Sequence, residues 1–297
     1  MDKHNIKYTL AKVLAFVPDK IMLRIHYAVK LHRGISFKHP KRFTEYVQCY
    51  KVFYHNPNML RCTDKFRVRE YVKEKTGDER YLNILYAIYD KAEDIDFRQL
   101  PDKFVIKTTD GGNGDNVLIC TDKNAIDTSE VVKTVKGWKN MRYDIISREW
   151  AYKGALKSQI IVEQLLEDDS NADGSIDDYK FLCYDGKFRY LWVDKNRYSC
   201  HRRGFWNENL EFLYGVRSDM PTFDEPPALP DNTDEMIRLA EKLSEGFPFA
   251  RIDLYNIHGK IYFGEITFYP WSGYVRYYPD SFDYELGKYF NLTETDK

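Results

Sequence analysis

Apolar positions along this chain follow two periods. Residues 7–32 repeat with a helical period that breaks at Pro18-Asp19, a helix stop followed by a new N-cap. Pro40 introduces a second amphipathic stretch, RFTEYVQCYKVFY, and Thr63-Asp64 caps a helix running through Lys73. Short apolar runs then predict strands: FVIK at 104–107, NVLIC at 116–120 and IIVEQLL at 160–166. Residues 179–184 and 188–193 predict a hairpin turning at Asp185-Gly186. A Pro-rich connection at 219–232 leads to an amphipathic helix over 233–245. Two final strands, 250–255 and 260–268, turn at His258-Gly259. Strands and helices alternate without a strict βαβ rhythm, which predicts the α+β class.

Composition narrows the class. The chain has 297 residues, 43% hydrophobic and 31% charged, which reads as globular and soluble. A chain of this length buries about 75% of its unfolded surface, so its core needs no covalent staples. The 24 Tyr and 18 Phe suit clefts and lobe interfaces as well as ordinary cores. A formal net charge of -1 argues against nucleic-acid binding. The first 53 residues are rich in Lys, Arg and His and poor in acids. That stretch is either a solvated helical face or a peripheral contact with a membrane or an anionic polymer. The cysteines, Cys49, Cys62, Cys120, Cys183 and Cys200, are odd in number and form no CxxC pair. Neither a disulfide framework nor a zinc site is expected, and a cytoplasmic setting is. The apolar run at 13–17 is too short to span a bilayer and has no signal-cleavage pattern behind it.

Three constellations could carry chemistry. The first is FVIKTTDGGNGDNVLI, a Gly-rich turn between two strands. Its backbone N–H groups could cradle an anion, with Lys107 neutralising a phosphate; a plain hairpin with a flexible tip fits equally. It is neither a Walker A loop nor a dinucleotide fingerprint. The second is the acid pair Asp253 and Glu265. A three-residue turn at 257–259 would pair Asn256 with Lys260 and set Arg251 opposite Glu265. Asp253 would then lie diagonally on the same face, roughly 7–8 Å away, within reach of one hard cation. Ala250, Ile252, Leu254, Tyr262, Gly264 and Ile266 would form the core face. A metal site and an exposed salt-bridged hairpin are both compatible with that face. The third is EDDSNADGSIDDYK. Asp169, Asn171, Asp173, Gly174 and Asp177 match a DxNxDGxxD calcium loop, but Lys180 stands where a bidentate Glu is needed, so a solvated loop is the better reading. No GxSxG elbow and no HxxxH pair is present, so hydrolases built on a serine elbow or on zinc are not expected.

Taken in order, these segments resemble the ATP-grasp superfamily, and more closely the TupA-like (teichuronopeptide-biosynthesis) ATP-grasp family of bacterial polysaccharide clusters. The resemblance rests on HPKRFTEYVQCYK, TDKFRVREYV, LPDKFVIK, IIVEQLLED, DYKFLCYDGK, ARIDLY and YFGEITFYPWSG, preceded by a basic helical start. It implies two α+β lobes clasping ATP beneath a Gly-rich lid hairpin, after a helical N-terminal extension. The corresponding bounds are 1–60 for the extension, 61–166 for the first lobe and 167–297 for the second. It also implies roles. Lys65 and Lys107 would be the nucleotide lysines, and Gly111, Gly112 and Gly114 the lid over the triphosphate. Glu163, Gln164 and Leu166 would form the hinge that reads adenine. Lys180 would face phosphate, Asp253 and Glu265 would hold Mg2+, and Arg251 would stabilise the transferring phosphate. The metal strand departs from the usual E-x-N ending, with Thr267 in the last position as a neutral oxygen ligand. The lid departs too, carrying Asp110 and Asp115. The activity implied is ATP-dependent ligation of a carboxylate to an amine through an acyl phosphate. Its setting would be capsule, exopolysaccharide or teichuronic-type polymer synthesis, with small, sugar- or polymer-linked substrates. The alternative is a glycosyltransferase-type enzyme using a sugar nucleotide.

Overall fold

The structure, a computed structural model, describes residues 8–9, 11–111, 116–138, 143–152 and 158–292. The chain divides into two units. The first takes its described residues from 1–18, 56–71 and 82–166, the second from 19–55, 72–81 and 167–297.

A four-stranded antiparallel sheet organises the first unit. Its strands are β1 (Leu85–Tyr89), β2 (Phe104–Thr108), β3 (Val117–Cys120) and β4 (Ile160–Glu163), in the order β1-β4-β2-β3. Side chains alternate between the faces of a strand. Phe104, Ile106, Cys120, Ile160 and Val162 therefore point together into a core, where Val131 and Val135 of the helix Thr128–Trp138 meet them. Lys107 and Glu163 fall on the opposite face. Asp64 starts the helix Arg67–Thr76 as expected: its Oδ1 accepts from the amides of Phe66 (3.0 Å) and Arg67 (2.9 Å). The expected strand over 160–166 ends at Glu163, and Gln164 gives its amide to the Ile84 carbonyl at 2.9 Å.

The second unit is built on a five-stranded antiparallel sheet. Its strands are β5 (Asp178–Tyr184), β6 (Lys187–Lys195), β7 (Arg202–Trp206), β8 (Phe249–Ile257) and β9 (Lys260–Thr267), in the order β7-β6-β5-β8-β9. Two tight turns set its registers. Asp185 and Gly186 have φ of 48° and 75°, and His258 and Gly259 have 50° and 82°. Two successive left-handed residues match the right-handed twist of the strands they join. One face of the sheet presents Phe181, Cys183, Leu191, Val193, Ile252 and Leu254 to the helix Thr233–Ser244, which buries Met236, Leu239, Ala240 and Leu243. The other face is divided. At one end Tyr184 and Phe249 join Phe43 and Tyr50 of the helix Phe43–Phe53 and Phe290, with ring centroids 5.0–6.1 Å apart for Tyr184–Phe249, Phe43–Phe249 and Tyr184–Phe290. At the other end the same face turns polar.

The β8–β9 hairpin departs from its expected register. The turn holds two residues, not three, so Ile257 pairs with Lys260. A bulge at Gly264 then intervenes, after which Asp253 pairs with Glu265 and Arg251 with Thr267. The bulge moves the inward positions from Ile261 and Phe263 to Ile266, in place of the expected Tyr262, Gly264 and Ile266. Gly264 suits the bulge because a Cβ there would lie 2.9 Å from the Asp253 carbonyl oxygen. Gly264→Ala is expected to destabilise the protein by about 1–3 kcal/mol, read as a lower urea midpoint. An unchanged midpoint would show that the bulge tolerates a side chain.

Candidate functional site

In the first unit, antiparallel pairing sets Val105 against Glu163 and Lys107 against Ile161. This brings the Lys107 ammonium 3.1 Å from Glu163 Oε2. Arg69 holds the other oxygen at 3.1 Å and is itself fixed by the Asn83 carbonyl (2.7 Å) and amide oxygen (3.1 Å). Glu163, expected from sequence as a backbone hinge, uses its side chain to orient two cations, one on each oxygen. Lys65 gives its amide to the Thr109 carbonyl at 2.9 Å, and its ammonium donates to the Gly111 carbonyl. It therefore stands at the root of the Gly-rich segment. Gly112, Gly114 and Asp115 lie outside the described residues. Asp110 accepts a hydrogen bond from the Ser158 hydroxyl, which holds that carboxylate locally. Leu166 lies beyond the end of β4.

In the second unit, strand parity gathers Lys180, Arg251, Asp253, Glu265 and Thr267 at the polar end of the sheet. Arg251 Nε donates to Asp253 Oδ1 at 2.6 Å. Its Nη2 donates to Asp253 Oδ2 at 2.6 Å, to Glu265 Oε1 at 2.7 Å and to Thr267 Oγ1 at 3.0 Å. Thr267 also gives its hydroxyl proton to Glu265 Oε1 at 2.8 Å. The three oxygens expected to hold a metal therefore converge on one cationic nitrogen. Lys180, 5% exposed, reaches Asp253 Oδ2 at 2.6 Å and also contacts Asp178. Burial pushes Asp253 up to about 6, against the downward pull of the Arg251 and Lys180 charges. Burial opposes the charge on Arg251, but the neighbouring Asp253 and Glu265 more than offset it and raise its pKa.

The cluster continues across the sheet through residues that the sequence patterns do not single out. Asp178 ties Lys180 to Arg197. Its strand neighbour Asp194 accepts from Arg203 Nε at 2.6 Å, lies 2.9 Å from His201 Nε2 and sits 3.6 Å from Arg197. Arg203 goes on to Asp219 at 2.6 Å. Burial alone would raise Asp194, but the His201 bond and the Arg203 and Lys180 charges hold it well below the usual carboxylate range. Trp192 lies beneath Arg251, with the guanidinium carbon 5.1 Å from its ring centroid. Trp271 packs against Trp192 in a tilted arrangement with centroids 4.6 Å apart and takes Arg203 at 4.7 Å. Trp271 and Ser272 are both left-handed, at φ 47° and 57°. Gln48 and Lys51 fix this strained pair by donating to the Ser272 carbonyl, each at 2.9 Å. One signal for the network was available: Asp178 and Lys180, like Trp192 and Asp194, stand two apart and so share a strand face.

The acidic loop, read from sequence as solvated, is folded, with Asn171 and Asp177 buried. Asp173 accepts from the Ser175 amide (3.0 Å) and hydroxyl (2.6 Å), the Tyr198 amide (3.1 Å) and the Ser199 hydroxyl (2.8 Å). Those bonds, the Ser175 hydroxyl first, lower it to about 2. Asp177 is taken by Asn171 (2.8 Å) and Lys195, and Asp169 pairs with His258 at 3.0 Å. Asp173 and Asp177 thus anchor a folded loop through separate partners, while Asp168, Asp169 and His258 bring their ligand atoms within 4.8 Å of one another.

With this geometry in place, comparison with known proteins identifies the class. Residues 45–291 match an ATP-grasp family, described as TupA-like ATPgrasp. The chain belongs to that family, and its mixed helices and antiparallel sheets form the α+β ATP-grasp fold expected from sequence. No match is found among curated proteins. Among solved structures, the chain is 18% identical to a D-alanine–D-alanine ligase from Bacillus anthracis, covering 70% of this chain and 57% of that one, with a TM-score of 0.43. An L-amino acid ligase from Bacillus licheniformis shows 17% identity over 74% and 46%, with a TM-score of 0.45. An N5-carboxyaminoimidazole synthetase from Staphylococcus aureus, complexed with ADP, shows 15% over 74% and 49%, also with 0.45. The chain therefore spans about half the length of these structures.

Proposed function

We propose that this protein is an ATP-dependent ligase that joins a carboxylate to an amine through an acyl phosphate. The observation that carries the reading is the meeting of the Asp253, Glu265 and Thr267 oxygens on Arg251 Nη2, next to Lys180. Two carboxylates and a hydroxyl form a hard, all-oxygen donor set that suits magnesium, and their present geometry already accommodates a positive centre. Magnesium held there would offset the charge of the triphosphate.

The remaining roles belong to the chain. Lys65, Lys107 and the backbone of the Gly-rich segment, Gly111, Gly112 and Gly114, would meet the triphosphate. Glu163, Gln164 and Leu166 would bind the adenine. A substrate carboxylate oxygen attacks the γ-phosphorus, the bond to the β,γ-bridging oxygen breaks, and ADP leaves. Arg251, once released from Glu265 and Thr267, together with Lys180 would stabilise the transferring phosphoryl oxygens. The amine then attacks the acyl carbon, expels phosphate and loses its proton. No protein nucleophile is required. The setting in polysaccharide synthesis and the sugar- or polymer-linked substrates follow from the family resemblance.

A thermal-shift panel tests the reading. ATP with magnesium is expected to raise the melting temperature by several degrees, as binding to the folded state alone requires. Stabilisation by UDP- or GDP-sugars and not by ATP would favour the glycosyltransferase reading and sink this one.

A further inference from the structure

We propose that the outer face of the helix Asp19–Leu31 docks the protein on an anionic lipid bilayer. The inner face of this helix is core: Met22, Leu23, Tyr27 and Leu31 are buried, and the Tyr27 hydroxyl pairs with that of Thr44 at 2.8 Å. The outer face would ordinarily be polar. Instead Ile21, Ile25 and Val29 are 48%, 49% and 67% exposed. They stand four residues apart, so they form one ridge with neighbours roughly 5–6 Å apart. A helix that buries one apolar stripe and displays another needs a second apolar environment.

Charge on the same helix decides which. Lys20, Arg24 and Lys30 are exposed, and Asp19 is the helix's one acid. Aromatic rings support the basic side chains: Lys20 lies over Phe53 at 4.4 Å, Arg24 over Phe37 at 5.5 Å and Lys30 over Tyr274 at 4.1 Å. A second copy of the chain docked ridge to ridge would bring these cations against their own kind. An anionic bilayer offers both complements, phosphates for the cations and a shallow apolar layer for the ridge. The helix has 13 residues, and among the described residues no helix is long and apolar enough to cross a membrane, so the mode is peripheral. Of the two alternatives that the basic N-terminal composition left open, this ridge supports a lipid surface over a solvated face.

Flotation with phosphatidylcholine vesicles, with and without phosphatidylglycerol, tests the proposal on the full chain. The protein is expected to float with phosphatidylglycerol vesicles only and to be released at high salt. Ile25→Asp and the pair Ile21→Asp/Val29→Asp are expected to lower the bound fraction about tenfold or more with no change in melting temperature, since these side chains are exposed. Lys20→Glu/Arg24→Glu should do the same without touching the ridge. Equal flotation of the wild type and the Asp variants overturns the proposal, as does no flotation at all. A wild-type dimer that Ile25→Asp dissociates, with no vesicle binding, overturns it too and assigns the ridge to a second copy.

Discussion

Glu265→Gln is expected to lower magnesium-dependent ADP formation by about 100-fold or more while leaving the fold intact. The two effects separate because Glu265 sits at the edge of the cluster. Its side chain is 47% exposed, and its ion pair with Arg251 is worth at most about 1 kcal/mol after solvent screening. Glutamine keeps the shape and the hydrogen bonds but withdraws the anion a divalent cation needs. Asp253→Asn is a poorer test, because it would also leave Arg251 and Lys180 buried beside a neutral amide and so confound activity with stability. The decisive measurement is ADP release against magnesium concentration for wild type and Glu265→Gln at matched melting temperature. Equal rates and equal magnesium dependence would remove Glu265 from the catalytic machinery.

The largest stability effect is expected at Asp194. It is fully buried and serves Arg203, His201 and Arg197. Asp194→Asn breaks the buried pair with Arg203, which keeps only Asp219, and withdraws one of the two carboxylates facing Arg197, which keeps Asp178, a change that costs about 3–5 kcal/mol. The folded pKa of Asp194 is depressed, so its contribution is fully present above the unfolded value of about 3.9 and is lost only as pH falls through the lower folded value. The gap in urea stability between wild type and Asp194→Asn should thus be the same at pH 7 and pH 5. A gap that shrinks markedly between those values would mean that Asp194 titrates in the ordinary range and that the network does not hold it.

The sheet core of each unit was readable because alternation has a fixed period. FVIK, the strand at 160 and the turn at Asp185-Gly186 fall where their patterns placed them, as does the helix after Asp64. β7 was not readable, since it opens on Arg202 and Arg203 and charged residues in a strand suggest solvent. The helix Thr128–Trp138 also carried no recognised signal. The contact between Lys107 and Glu163 depends on β4 inserting beside β2, a long-range pairing that local pattern does not encode. The buried network around Asp194 was missed for the opposite reason: its residues look like surface residues until the sheet sets them opposite one another. For the hairpin, two departures compensated. The shorter turn shifts the register by one residue, and the Gly264 bulge shifts it again, so Arg251, Asp253, Glu265 and Thr267 still share a face, though not with the expected partners.

That bulge makes Gly264 a spare residue in β9. Leu254 pairs with Phe263 and Asp253 with Glu265, so a strand lacking Gly264 could keep both pairings with nothing between them. Phe263 and Ile266 would still point inward and Glu265 outward, because alternation would run on unbroken. Loss of the glycine would therefore leave Glu265 on its present side, whereas with Gly264 kept only the bulge separates it from Phe263, two residues earlier. The extra residue adds local bend and twist, and so sets the angle at which that carboxylate leaves the sheet. Side and aim thus respond differently to Gly264: its loss would keep the first and change the second. The aim of Glu265 can change by the loss of a single residue while the apolar layer beneath Ile252 and Ile266 stays as it is.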